Sequence, residues 1–212
     1  MKTGELVRTL TADAGAGRPM RLAPLLAGGA LAGAALWALL IAVGPLHWAP
    51  ARLAGASWFP MKAGYSFALA IAGLAGATQL ARPGGRVGSA IWIALAAFAV
   101  VAVLAMHETM ATPAAGLRRL WMGQTAMLCP WIIIVAAAPT FVVSLWLLRR
   151  TAPTRLTLAG AVAGFFAGGA GAATWSLYCA ESTAAFVLAW YTLGIALSAA
   201  IGAAVGRFAL RW

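Results

Sequence analysis

Side chains able to do chemistry are scarce in this 212-residue chain, which holds two cysteines, two histidines and four acidic residues. Cys129 and Cys179 lie far apart and form no CxxC or zinc-finger spacing. Thiols that meet in an oxidising compartment can close a disulfide if their Cα atoms come within about 4.4–6.8 Å. Thiolates also bind soft metals, and imidazole nitrogens can complete such a site. His47 and His107 are the available imidazoles, and Glu108 and Glu181 are the carboxylates closest in sequence to His107 and Cys179. Spacing alone leaves a plainer reading open, in which each cysteine is a small buried hydrophobe and each histidine a solvated loop residue. No Ser–His–acid set, P-loop or HExxH motif is present, so no catalytic residue is assigned and an enzyme is not expected.

The elements that must position these groups are membrane helices. Hydrophobic residues make up 63% of the chain and charged residues 9%, against about 25% charged in an ordinary soluble domain. The mean hydropathy of +0.90 agrees with this. The formal charge of +11 could point to nucleic acid, but the basic residues sit in small clusters at the ends of apolar runs. Direct nucleic-acid binding is therefore not expected. Apolar runs at 24–44, 63–81, 87–106, 123–148, 156–178 and 185–206 are each long enough to cross about 30 Å of hydrocarbon. The expected fold is all-α: six spans in a multi-pass domain over 23–206, preceded by a polar segment 1–22 and followed by a short tail 207–212. The first apolar run is too long and too far from the start for a cleaved signal peptide.

Lysine and arginine set the expected orientation. With the N-terminus in the cytoplasm, the inner set is Lys2, Arg8, Arg18, Arg21, Arg82, Arg86, Arg149, Arg150, Arg155, Arg207 and Arg211, and the outer set is Arg52, Lys62, Arg118 and Arg119. Eleven against four predicts that both termini are cytoplasmic. Both cysteines, both histidines, Glu108 and Glu181 then fall at the outer face, although none of them entered the count. Lys62, at the mouth of the second span, reads as a polar anchor snorkelling to headgroups, or as a partner of Glu108 or Glu181. Trp48, Trp58, Trp121, Trp131, Trp175 and Trp190 read as an interfacial belt. Glycines at i, i+4 spacing (Gly160, Gly164, Gly168; Gly202, Gly206) predict close helix packing, within the chain or in a homo-oligomer. No Asp, Glu, Arg or His stands in the middle of a span, which argues against an ion-coupled carrier and leaves a small transporter or channel as the rival reading.

On the cytoplasmic side, Leu6, Val7 and Leu10 mark one apolar face of a short amphipathic helix, ended by Gly15, Gly17 and Pro19. So short a helix gains order by docking on a partner or on the bilayer. The opening MKTGELVRTLTADA, the FPMKAGYS entry to the second span, and in the C-terminal third LRRTAPTR, Cys179 followed by an acid at Glu181, and WYTLGIAL resemble the NrsF family of negative regulators of sigma F. CAES departs from the proline or similar residue expected beside the cysteine in that family. The resemblance implies a bacterial inner-membrane anti-sigma factor that holds an extracytoplasmic-function sigma factor and releases it under heavy-metal or oxidative stress. It implies that Cys129 and Cys179 are the sensor thiols, with transient heavy-metal binding and no resident cofactor. His47, His107, Glu108 and Glu181 would support the pair, and Leu6, Val7 and Leu10 would contact the sigma factor.

Overall fold

A computed structural model describes residues 3–5, 7–8, 21–43, 58–82, 84–151 and 153–211. The described residues contain helices and no strand. Six of the helices are long and apolar enough to cross a membrane. In chain order the helices are α1 (Leu22–Val43), α2 (Phe59–Leu80), α3 (Ser89–Ala111), α4 (Ala114–Met122), α5 (Cys129–Arg149), α6 (Leu156–Ser176) and α7 (Ala184–Ala209). All but α4 are candidate spans.

The main departure from the expected spans lies before α5. A helix from 123 to 148 was expected, but Gly123 takes a positive φ of 50° and ends α4, and residues 123–128 are a turn. The fourth span therefore starts at Cys129, with Pro130 in its first turn, where a missing N–H costs nothing. The short α4, AAGLRRLWM, falls between two of the expected spans and is too short and too charged to cross a membrane.

The core is organised around α6, which packs on α7, α2 and α5. Its glycines permit this. A Cβ on Gly160 would run into the Gly202 carbonyl, and one on Gly164 into the Ser198 carbonyl, so α6 and α7 meet backbone to backbone. Gly73 of α2 lies against the backbone of Phe166, and Gly171 lies against Ile133 and Ala137 of α5. In lipid such contacts replace the hydrophobic effect with dispersion between closely fitted surfaces. The glycine stripes are thus used within the chain. The outward sides of α1 and α3 carry Leu31, Leu39, Trp92, Val100 and Val103, all exposed, as a lipid-facing surface requires.

The six spans alternate in direction, so the bundle has two chemically distinct ends. One carries Arg21, Arg82, Arg149, Arg150, Arg155, Arg207 and Arg211. The other carries both cysteines, Lys62, His107, Glu108 and Glu181, together with Arg118 and Arg119, exposed on α4.

Candidate functional site

At the second end, the first turn of α2 brings Lys62 under the loop 177–183. Lys62 is completely buried. Its Nζ donates to the Cys179 carbonyl at 2.6 Å and sits 4.2 Å from the centre of the Trp58 ring. An ammonium group taken out of water needs such partners, because desolvation costs several kcal/mol, on the order of 5, when nothing offsets it. The anchor expectation is corrected here. Lys62 neither snorkels to headgroups nor directs its hydrogen bond to Glu108 or Glu181, because α2 begins at Phe59 and sets Lys62 one turn inside the packed bundle.

The two thiols meet beside it. Cys129 opens α5 and Cys179 lies in the α6–α7 loop; both are buried and neither is in a disulfide. The Cys129 and Cys179 thiols lie side by side, with the Trp175 indole beside Cys129 and the Glu181 backbone beside Cys179. The buried Tyr191 hydroxyl faces the Cys179 sulfur without a well-directed hydrogen bond to any group. Cys179 is held below the usual thiol range, first by the Cys129 hydrogen bond and then by the nearby Lys62 ammonium, against the opposing effect of burial.

The carboxylates hold backbone. Glu181 Oε1 accepts from the N–H of Gln124 at 2.7 Å, and from the N–H and hydroxyl of Thr125 at 3.2 Å each. Glu108 Oε2 accepts from the N–H of Ala185 at 3.2 Å, one of the donors left without an intrahelical partner at the start of α7. Thr183 caps the same helix by accepting from the Phe186 N–H at 3.3 Å, and donates to the Leu120 carbonyl at 2.8 Å. Trp190 Nε1 donates to the Trp121 carbonyl at 2.8 Å. Within α7, residues Val187–Tyr191 form a π-helical turn, an irregularity frequent at functional sites.

Of the residues singled out in the sequence, Cys129, Cys179, Lys62 and Glu181 come together, and Glu108 holds the adjoining helix start. His107 is exposed on α3 and stays apart from the thiols. His47, Leu6 and Leu10 lie outside the described residues; Val7 is helical and exposed. Among the described residues no three His, Cys, Asp or Glu side chains converge as a metal-ligand set. The thiol pair therefore offers two soft ligands, not a four-ligand cage. Trp58, Thr125, Trp175 and Tyr191 also build the site. Trp175 is core, not interfacial belt, at 5% exposure. Trp58, Thr125 and Trp175 stand four residues before Lys62, Cys129 and Cys179, a helical spacing that could have pointed to them, whereas Tyr191 reaches the thiols through tertiary contact alone.

The family model described as negative regulator of sigma F matches residues 10–212. The anti-sigma-F factor NrsF of Caulobacter vibrioides is 39% identical, with both chains covered completely. The probable anti-sigma-F factor NrsF of Azospira oryzae is 33% identical, again over the full length of both. No solved structure matches the chain. With a family model covering nearly all of its residues and full-length relatives on either side of one-third identity, the chain belongs to the NrsF family, the negative regulators of sigma F.

Proposed function

We propose that this chain is an inner-membrane anti-sigma factor that retains an extracytoplasmic-function sigma factor on its cytoplasmic side and releases it when Cys129 and Cys179 react. The observation that carries the sensing half is the buried thiol pair, with Lys62 hydrogen-bonded to the backbone of one of its cysteines. The partner half rests on the family and its named members. In this reading both termini are cytoplasmic, as the bias of lysine and arginine requires. The thiol end then faces the oxidising side of the membrane.

Two reactions of the pair have the same consequence. A soft metal ion bound between two thiolates, or a disulfide formed by loss of two electrons and two protons, moves the α5 start against the α6–α7 loop. Because α6 and α7 are fused along a glycine seam, displacement at one end is carried to the arginine end. A coupling of about 1–3 kcal/mol, the ordinary range for linked sites, lowers sigma-factor affinity roughly 5- to 150-fold. Leu6, Val7 and Leu10 supply an apolar face for that partner.

The test is co-purification of a sigma factor with the detergent-solubilised chain, before and after addition of cadmium or diamide. The parent should release its partner, and the Cys129→Ser/Cys179→Ser double variant should keep it. Normal release from the double variant sinks the thiol sensor. Absence of any sigma factor, together with solute flux in liposomes, favours the transporter reading instead. Removing residues 2–14 should abolish retention.

A further inference from the structure

The two thiols sit on segments that share no helix. Cys129 follows the irregular turn 123–128, and Cys179 lies in a loop without regular structure. We propose that Glu181 is the positioning residue of the pair: its carboxylate grips the turn before α5 and so holds Cys129 against Cys179. This rests on reading the thiols as a reactive pair, and it replaces the idea of Glu181 as a metal ligand.

The contacts form a closed circuit. Glu181 Oε1 takes the N–H groups of Gln124 and Thr125 and the Thr125 hydroxyl. The Thr125 carbonyl in turn accepts the N–H of Cys129 at 2.9 Å and of Leu128 at 3.0 Å, so Thr125 is where α5 is started. On its other side Glu181 is two residues from Cys179 in the same loop, and the Cys179 thiol lies beside that of Cys129. One carboxylate thus spans the gap between the two cysteine-bearing segments. An ionised acceptor suits this task, since hydrogen bonds to charged groups are stronger than neutral ones. Gly123 makes room for it: a Cβ there would collide with the Glu181 carboxylate. A different tie, from Thr183 to the Leu120 carbonyl, holds the loop to α4 without touching the turn.

The proposal is tested on the purified chain with no sigma factor present, so the result is independent of whether the pair signals. Diamide converts the two thiols to a disulfide; its N=N group takes up the two electrons and two protons and becomes a hydrazine. The rate of the intramolecular cross-link reads how well the sulfurs are placed. Glu181→Ala should slow it about tenfold, within the ~100-fold that a misplacement of about 1 Å can cost. Glu181→Gln, which keeps an acceptor oxygen, should recover most of the parent rate. Gly123→Ala should slow the reaction although it touches neither cysteine, because its Cβ displaces the Glu181 carboxylate from the turn. Thr183→Ala and the exposed Ser182→Ala should stay within about twofold of the parent. Parent-like cross-linking in Glu181→Ala overturns the proposal. So does equal slowing in Thr183→Ala, which would assign the placement to the loop as a whole. A parent chain that forms no cross-link also overturns it, since nothing would then be positioned. If Glu181→Ala fails to fold, Gly123→Ala carries the test, and parent-like cross-linking there overturns the proposal.

Discussion

The two ends of the bundle handle charge in opposite ways. At the arginine end, cations lie on neighbouring rings: Arg150 stands 3.7 Å from the centre of the Trp146 ring, and Arg207 stands 4.6 Å from that of Phe208. Those contacts are local in sequence and close to water. At the cysteine end a lysine is completely buried, and its hydrogen bond crosses 117 residues of chain. The bonds of Glu181 to 124 and 125, of Trp190 to Trp121 and of Glu108 to Ala185 are similarly long in range. A change at an exposed arginine is answered by solvent. A change at the buried groups of the cysteine end, Lys62, Glu181, Glu108 and Trp190, must be answered by several helices, because each completes the hydrogen bonding of another segment.

Between the ends runs the α6–α7 seam, and the largest expected effect lies there. Gly202→Leu forces a side chain into the Gly160 carbonyl and should cost about 3 kcal/mol or more, read as a lower melting temperature in detergent. Gly202→Ala already sets a Cβ against the Gly160 carbonyl, so it should also part the seam and lower the melting temperature, by less than Gly202→Leu.

Next is Lys62→Met, which removes the buried cation at similar length. Cys179 is held low partly by that ammonium, so its thiolate persists at lower pH than an ordinary thiol, whose value is about 8.5. Without the cation the midpoint moves up, and at neutral pH the ultraviolet thiolate signal should fall. An unchanged titration would mean that the Cys129 hydrogen bond alone holds the thiol down. Trp190→Phe deletes the bond to the Trp121 carbonyl and should cost about 1 kcal/mol, measured by the same melt. The smallest effect belongs to the arginine end. Arg150→Gln should change stability by less than about 1 kcal/mol, because its ring contact is exposed. A loss there matching that of Trp190→Phe would erase the contrast between the ends.

Much of this was legible in the sequence. Six apolar runs and their alternation already put Cys129 and Cys179 at one end, since crossing the bilayer requires about twenty apolar residues whatever the packing. The glycine spacing announced a close seam. Lys62 was legible as unusual, yet its burial was not. Whether a lysine near a helix mouth reaches water depends on what covers it, and here the cover is a loop far along the chain. The turn at 123–128 was hidden because apolar residues there extend the hydropathy of the span, although Pro130 is a legible mark of a helix start; the positive φ at Gly123 and the bonds to Glu181 hold the break. Glu181 itself looked like a ligand beside a cysteine, since sequence adjacency cannot say which way a carboxylate points.

Composition and periodicity alone therefore determined the number of spans, their antiparallel order and the end at which the thiols gather. These follow from the energy of placing apolar and charged groups in or out of hydrocarbon, and that energy adds residue by residue. Tertiary structure decided which groups touch: thiol with thiol, Lys62 with the Cys179 carbonyl, Glu181 with the turn before α5. Such pairings depend on the satisfaction of buried polar groups by partners distant in the chain, a condition that no local pattern records.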